Sequence, residues 1–143
     1  MVELVPTLLR QELARLAEDD LRLDGRGRWE GREVSLETDC LYNAEGSAKV
    51  VMGDTIVYAG IKFELRTPWP DRPTQGSLMC GAELRPVAHR KYEPGPPSPQ
   101  SIELGRVVDR GIRESGCIDM ESLCIVPGEK VWGVMIDIHV LSD

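Results

Sequence analysis

The stretch SAKVVMGDTIVYAGIKFEL, residues 47–65, decides the fold class. Its two arms, 47–52 and 55–65, read as the strands of a hairpin in a region whose pattern has the period of two that marks a strand. Gly53-Asp54 joins them, and a glycine at the first of two turn positions suits a type II′ hairpin. In the second arm Val57, Ala59, Ile61, Phe63 and Leu65 share one face, while Tyr58, Lys62 and Glu64 share the other. The first set is expected to face the core.

Upstream, Val34 and Leu36 alternate with Glu33, Ser35 and Glu37, which predicts a half-buried strand. Before it, residues 20–32 carry three glycines and four arginines around the turn sequence Leu23-Asp24-Gly25-Arg26, so the chain must bend there. Leu9, Leu13 and Leu16 recur at helical spacing and predict an amphipathic helix over 7–18, capped by Thr7 and blocked backwards by Pro6. Residues 1–20 are thus expected to form an N-terminal docking helix, and 21–143 the remaining domain.

Downstream, a proline-rich loop over 66–75 precedes an alternating strand carrying Leu78, Cys80, Ala82 and Leu84. Glu93-Pro94-Gly95-Pro96-Pro97 makes 86–99 a stiff, irregular loop. Ser98-Pro99 is a good cap and first-turn pair for a helix reaching Ser115, with Gly116 as its stop. Two last strands, 122–126 and 131–141, flank Pro127-Gly128, with Trp132, Val134, Ile136, Ile138 and Val140 inward in the longer one. Helix, four strands, helix, two strands is an α+β order.

At 143 residues, 41% hydrophobic and 29% charged, the chain has the length and composition of one globular domain, which excludes disordered and collagen-like architectures. One Phe, three Trp and three Tyr leave a mainly aliphatic core. A formal charge of -7 argues against indiscriminate binding to nucleic acid or anionic membranes, though a local basic patch remains open. Cys40, Cys80, Cys117 and Cys124 form no Cys-x-x-Cys pair and read as reduced, partly buried thiols. His89 and His139 stand at no finger-like spacing from them, so no metal is expected. The start shows no signal-peptide pattern and no apolar run approaches a membrane span, so a cytoplasmic protein is expected.

The chemically suggestive element is the second helix. An advance of about 100° per residue places Leu104, Val107, Val108 and Ile112 in one arc and Arg106, Arg110 and Arg113 together on the opposite side. Three guanidiniums within about two turns could meet successive phosphates of a single strand. A solvated helix face, partly neutralised by Asp109 and Glu114, is the plainer reading of the same spacing. Asp137 and His139 point to one side of a strand and could form an acid/base pair, or simply a hydrogen-bonded or solvent-facing one. No nucleophile with a partner base is visible, and the residues alone assign no catalysis.

Several motifs occur in the order found in RNase PH-like proteins: Asp24-Gly25-Arg26, Ala44-Glu45-Gly46-Ser47-Ala48, Gly53-Asp54-Thr55, Pro70-Asp71-Arg72-Pro73 with Gln75-Gly76, and residues 101–110. Within that family the Glu93–Pro97 loop, Val107-Val108-Asp109-Arg110, and Val131-Trp132 before Ile136-Asp137-Ile138 resemble the catalytically silent subunit of the archaeal exosome. The resemblance implies a ribosomal-protein-like βαβ half-domain, a mixed sheet with an N-terminal helix and one long helix packed on it. It implies pairing with a catalytic RNase PH-like partner, three such heterodimers closing into a six-membered ring, RNA-binding cap subunits, and single-stranded RNA degraded from its 3′ end. Inorganic phosphate would be used by the partner, and this chain would need no cofactor. Arg106 and Arg110 fall where the family places arginines that hold the RNA backbone, and Arg113 lies one step beyond. A complete subunit is about twice as long, so the second half is expected to be missing here. The competing resemblance is to an active phosphorolytic exoribonuclease, RNase PH or the catalytic exosome subunit. Those relatives carry clustered arginines just before the helix, where this chain has Pro96, Pro97 and Pro99. A stand-alone interaction domain is the third reading.

Overall fold

The computed structural model describes residues 4–143. They divide into two compact units, one ending at Glu33 and the other Val34–Asp143. In the first, α1 spans Leu4–Glu18, three residues earlier than Thr7. Pro6 does not block it, because the first-turn N–H that proline lacks has no intrahelical partner anyway. Asp20, at φ 55, closes the helix in the left-handed region. The expected bend follows, with Gly25 at φ 82 and Arg26 gripping Asp24 Oδ2 through Nε at 2.8 Å and Nη2 at 2.7 Å.

The second unit is a mixed sheet of β1 (Val34–Thr38), β2 (Gly46–Met52), β3 (Thr55–Arg66), β4 (Ser77–Leu84), β5 (Cys124–Val126) and β6 (Lys130–Ser142). The order is β1-β2-β3-β6-β4, with β5 paired to β6. Neighbours are antiparallel except β4 and β6. That parallel pair requires a crossover, supplied by α2 (Pro99–Ser115). The β2–β3 turn has Gly53 at φ 60 and no positive φ at Asp54, as a type II′ connection demands. Both ends of α2 follow the sequence reading: Ser98 Oγ accepts from the Ser101 N–H at 3.2 Å, and Gly116 ends the helix at φ 64.

The core lies where α2 meets β4 and β6. Leu104, Val108 and Ile112 pack on Leu78, Ala82, Val134, Ile136 and Ile138. Close approach depends on Gly105, where an added Cβ would stand 3.2 Å from the Cys80 carbonyl oxygen and 3.4 Å from the Ala82 nitrogen.

The apolar face of the sheet is only partly covered. A helix is about 10–12 Å wide and strands lie about 4.8 Å apart, so one helix covers about two strands. Val57, Ala59 and Ile61 of β3 still reach the core. On β1, however, Val34 and Leu36 are 60% and 66% exposed, not half-buried as predicted. Phe63 and Leu65, expected in the core, are 45% and 55% exposed. Leu65 pairs with Trp132 beyond the point where β4 begins, and Phe63 rests edge-on against Trp132 at 6.1 Å between centroids. Trp132 is correspondingly half-open, while its out-of-phase neighbour Val131, between Arg66 and Cys124, is fully buried. Cys117 is exposed, contrary to expectation, and the other three thiols are free and half-buried.

Candidate nucleic-acid interface

The cap at Ser98 and Pro99 at the first helical position fix where α2 starts, and its apolar stripe fixes its rotation on the sheet. Together they point Arg106 and Arg110 outward, one turn apart. Both are exposed, and among the described residues neither guanidinium makes a hydrogen bond or ion pair. They border an open groove of about 470 Å³ with Pro99, Ile102, Glu103 and Val107.

Two sequence assignments change here. Val107, placed in the core arc, is 63% exposed beside the arginines, because it lies about 100° around the helix from Val108 and misses the sheet. Arg113 does not join the free stripe. Its Nε and Nη2 reach the Asp109 carboxylate at 2.7 and 3.1 Å, and Nη2 also donates to the Leu78 carbonyl, tying α2 to β4. The outer face is therefore two unpaired arginines flanked by exposed Ile102 and Val107, a mixed basic and apolar surface. The signal for it in the sequence was Ile102, which no core arc claims.

At the helix N-terminus a cleft of about 690 Å³ separates α2 from the proline-rich loop. The loop is pinned where Tyr92 Oη donates to Asp143 Oδ2 at 2.7 Å and Lys91 Nζ reaches the same oxygen at 3.2 Å. The Tyr92 hydrogen bond, then Lys91, holds the Asp143 carboxyl below its ordinary range. Asp137 and His139 do not form an acid/base pair: His139 Nδ1 accepts from Arg85 Nε at 3.2 Å and lies 3.8 Å from Glu83. Burial, with Asp109 and Asp137 nearby, pushes the Cys80 thiol up, away from the thiolate a nucleophile requires.

An α+β unit whose parallel strands β4 and β6 are bridged by α2, with two unpaired arginines on the outer face of that helix, has the architecture that the resemblance to RNase PH-like proteins implies. The chain belongs to the 3′ exoribonuclease family: the model of its domain 1 matches residues 30–143. It is 48% identical over 143 residues to the exosome complex component Rrp42 of Methanosarcina mazei, covering all of this chain and 54% of that protein. A solved structure of the Archaeoglobus fulgidus exosome with RNA bound to the active site holds a chain that superposes with a TM-score of 0.90 at 46% identity. That match covers 99% of this chain and 56% of the other. A chain of a solved archaeal exosome core matches with a TM-score of 0.81 at 44% identity, covering 96% and 51%. The chain spans about half the length of the curated relatives it matches. The family and the mixed-sheet fold expected from the motifs are both borne out.

Proposed function

We propose that this chain is the first half of a non-catalytic, RNA-binding subunit of an exosome-type complex that degrades RNA from the 3′ end with inorganic phosphate. The observation that carries the reading is the unpaired Arg106–Arg110 step on the outer face of α2. Supporting it is the likeness to a chain of an exosome whose structure holds RNA at the active site. Catalysis, and use of phosphate, belong to an RNase PH-like partner in a ring of three heterodimers that also carries RNA-binding cap subunits. The cytoplasm as site of action goes with this exosome-type reading; no described helix is long and apolar enough to cross a membrane.

The test is anisotropy of a labelled single-stranded oligoribonucleotide across a salt series. Each phosphate contact contributes about -0.7 to the slope of log K against log salt for single strands. Changing Arg106 and Arg110 together to Ala is expected to flatten that slope by roughly 1.4. An unchanged slope removes both from the site. Release of nucleoside diphosphates by the purified chain alone would favour the active-exoribonuclease alternative.

A further inference from the structure

We infer that the cleft between the β3–β4 loop, residues 67–76, and the C-terminal half of α2 is a second RNA contact, a platform on which Trp69 stacks a base while Arg72 and Arg113 hold the neighbouring phosphate. It rests on the RNA-binding reading above but uses a different site. The cleft holds about 330 Å³, and Trp69, Arg72, Gln75 and Arg113 are among its lining residues.

The loop has the rigidity of a built surface. The Arg72 N–H donates to the Trp69 carbonyl at 2.9 Å and the Gln75 N–H to the Arg72 carbonyl at 3.3 Å, two successive turns. The Gly76 N–H donates to the Met120 carbonyl, and the Gly128 N–H to the Pro73 carbonyl, each at 2.8 Å. Pro68 is buried, and an added Cβ on Gly76 would stand 2.5 Å from the Leu123 side chain, so the base of the loop is packed tight. Held between Pro68 and Pro70, the Trp69 indole is 59% exposed. A large aromatic open to solvent on a pinned backbone offers a base a stacking face.

Unused donors surround it. Among the described residues neither the Trp69 indole N–H nor the Gln75 amide has a hydrogen-bond partner. Arg72 Nε reaches only Asp71, at 3.7 Å, too long for a hydrogen bond. Arg113 is oriented by Asp109 and the Leu78 carbonyl through Nε and Nη2, leaving Nη1 unpaired. At about 1.5 Å rise per residue, Arg113 lies about 4.5 Å beyond Arg110 along α2 and turned towards β4. The groove beside Arg106 and Arg110 and this cleft share no lining residue, so a strand that follows α2 past Arg110 reaches the cleft only by turning towards β4 at Arg113. Stacking is blind to base identity, so the class of ligand is single-stranded RNA of any sequence.

The experiment titrates the full 143-residue chain with an oligouridylate at low salt, following tryptophan emission and the anisotropy of the labelled oligomer. Emission should be quenched on binding. Trp69→Ala should abolish that quench and weaken binding about tenfold, the effect of losing one base stack. Trp69→Phe should keep most of the affinity, and Arg72→Ala, a change at an exposed side chain, should cost about threefold. The Arg106→Ala, Arg110→Ala double variant should still show the quench at saturation. Binding that is blind to Trp69 and Arg72 overturns the platform and leaves the α2 reading standing. Competition by polyglutamate as strong as that by unlabelled oligouridylate also overturns it, because a stacking platform requires bases. No binding by the unaltered chain removes both.

Discussion

Two glycines on α2 allow the packing of the helix to be tested with chemically identical substitutions. Gly→Ala inside a helix gains about 0.8–1 kcal/mol from propensity alone. At Gly111 nothing lies within 4 Å of the new Cβ, so the full gain should appear. At Gly105 the same atom meets the β4 backbone at 3.2 Å from the Cys80 oxygen, 3.4 Å from the Ala82 nitrogen and 3.6 Å from the Gly81 carbonyl carbon. Backbone held by β6 on one side and α2 on the other cannot rotate aside, and overpacking of this kind costs about 1–3 kcal/mol. Set against the propensity gain, Gly105→Ala should lose about 1 kcal/mol, and the two variants should differ by about 2 kcal/mol. Equilibrium urea unfolding followed by far-UV circular dichroism reads the difference, provided the m-values agree. If Gly105→Ala stabilises as much as Gly111→Ala, α2 does not sit on β4 as closely as described, and the orientation of Arg106 and Arg110 loses its basis.

Arg113→Ala should destabilise by about 1–2 kcal/mol in the same assay, because it strips a charged donor from Asp109 and the Leu78 carbonyl, whereas Arg106→Ala should stay within about 0.5 kcal/mol. A neutral Arg113→Ala would return that side chain to the solvated face. Glu45 supplies a pH test: its carboxyl is held below the ordinary range by the hydrogen bond from Lys62 at 2.6 Å, with the Phe63 N–H at 3.2 Å on the other oxygen. A lowered folded-state pKa contributes stability that is fully present above the unfolded value, about 4.3, and is lost as pH falls through the folded value. The stability gap between the unaltered chain and Glu45→Gln should therefore be flat from about pH 6 to 8 and close below about pH 4. A gap that widens on acidification contradicts the assignment.

What the sequence made legible was local. Gly53-Asp54 encodes its turn in one backbone angle, and Ser98, Pro99 and Gly116 encode the ends of α2 in single-residue preferences, so those elements came out with their bounds. Pro6 misled because a proline in the first turn and a proline that stops a helix look alike without the preceding residues' hydrogen bonds. Arg113 was placed by rotation about an isolated helix axis. Rotation says nothing about Asp109 one turn back or a carbonyl on β4, and those two partners decide where the guanidinium goes. Trp69 passed unremarked inside a proline-rich loop, although an aromatic between two prolines on a stiff loop is itself a signal of an exposed ring.

The larger misreading concerns coverage, and its cause is geometric. Alternation tells which face a side chain takes within its own strand, and the register brings Leu36, Val57, Val140 and Leu84, each read as apolar-facing, into one row with Val50 across five strands. Whether that row is buried depends on a second layer, and a single helix about 10–12 Å wide cannot roof five strands spaced about 4.8 Å apart. The row accordingly runs from buried Val140 on β6 to Leu36 at 66% exposure on the edge. The same argument explains α2 itself: Leu104, Val108 and Ile112 exhaust the stripe that one sheet can cover, so Val107 and Ile102 must stay outside. Apolar side chains beside two unpaired arginines are thus a consequence of how narrow the helix–sheet contact is, and that is what converts an ordinary solvated helix face into a surface with both charge and grip.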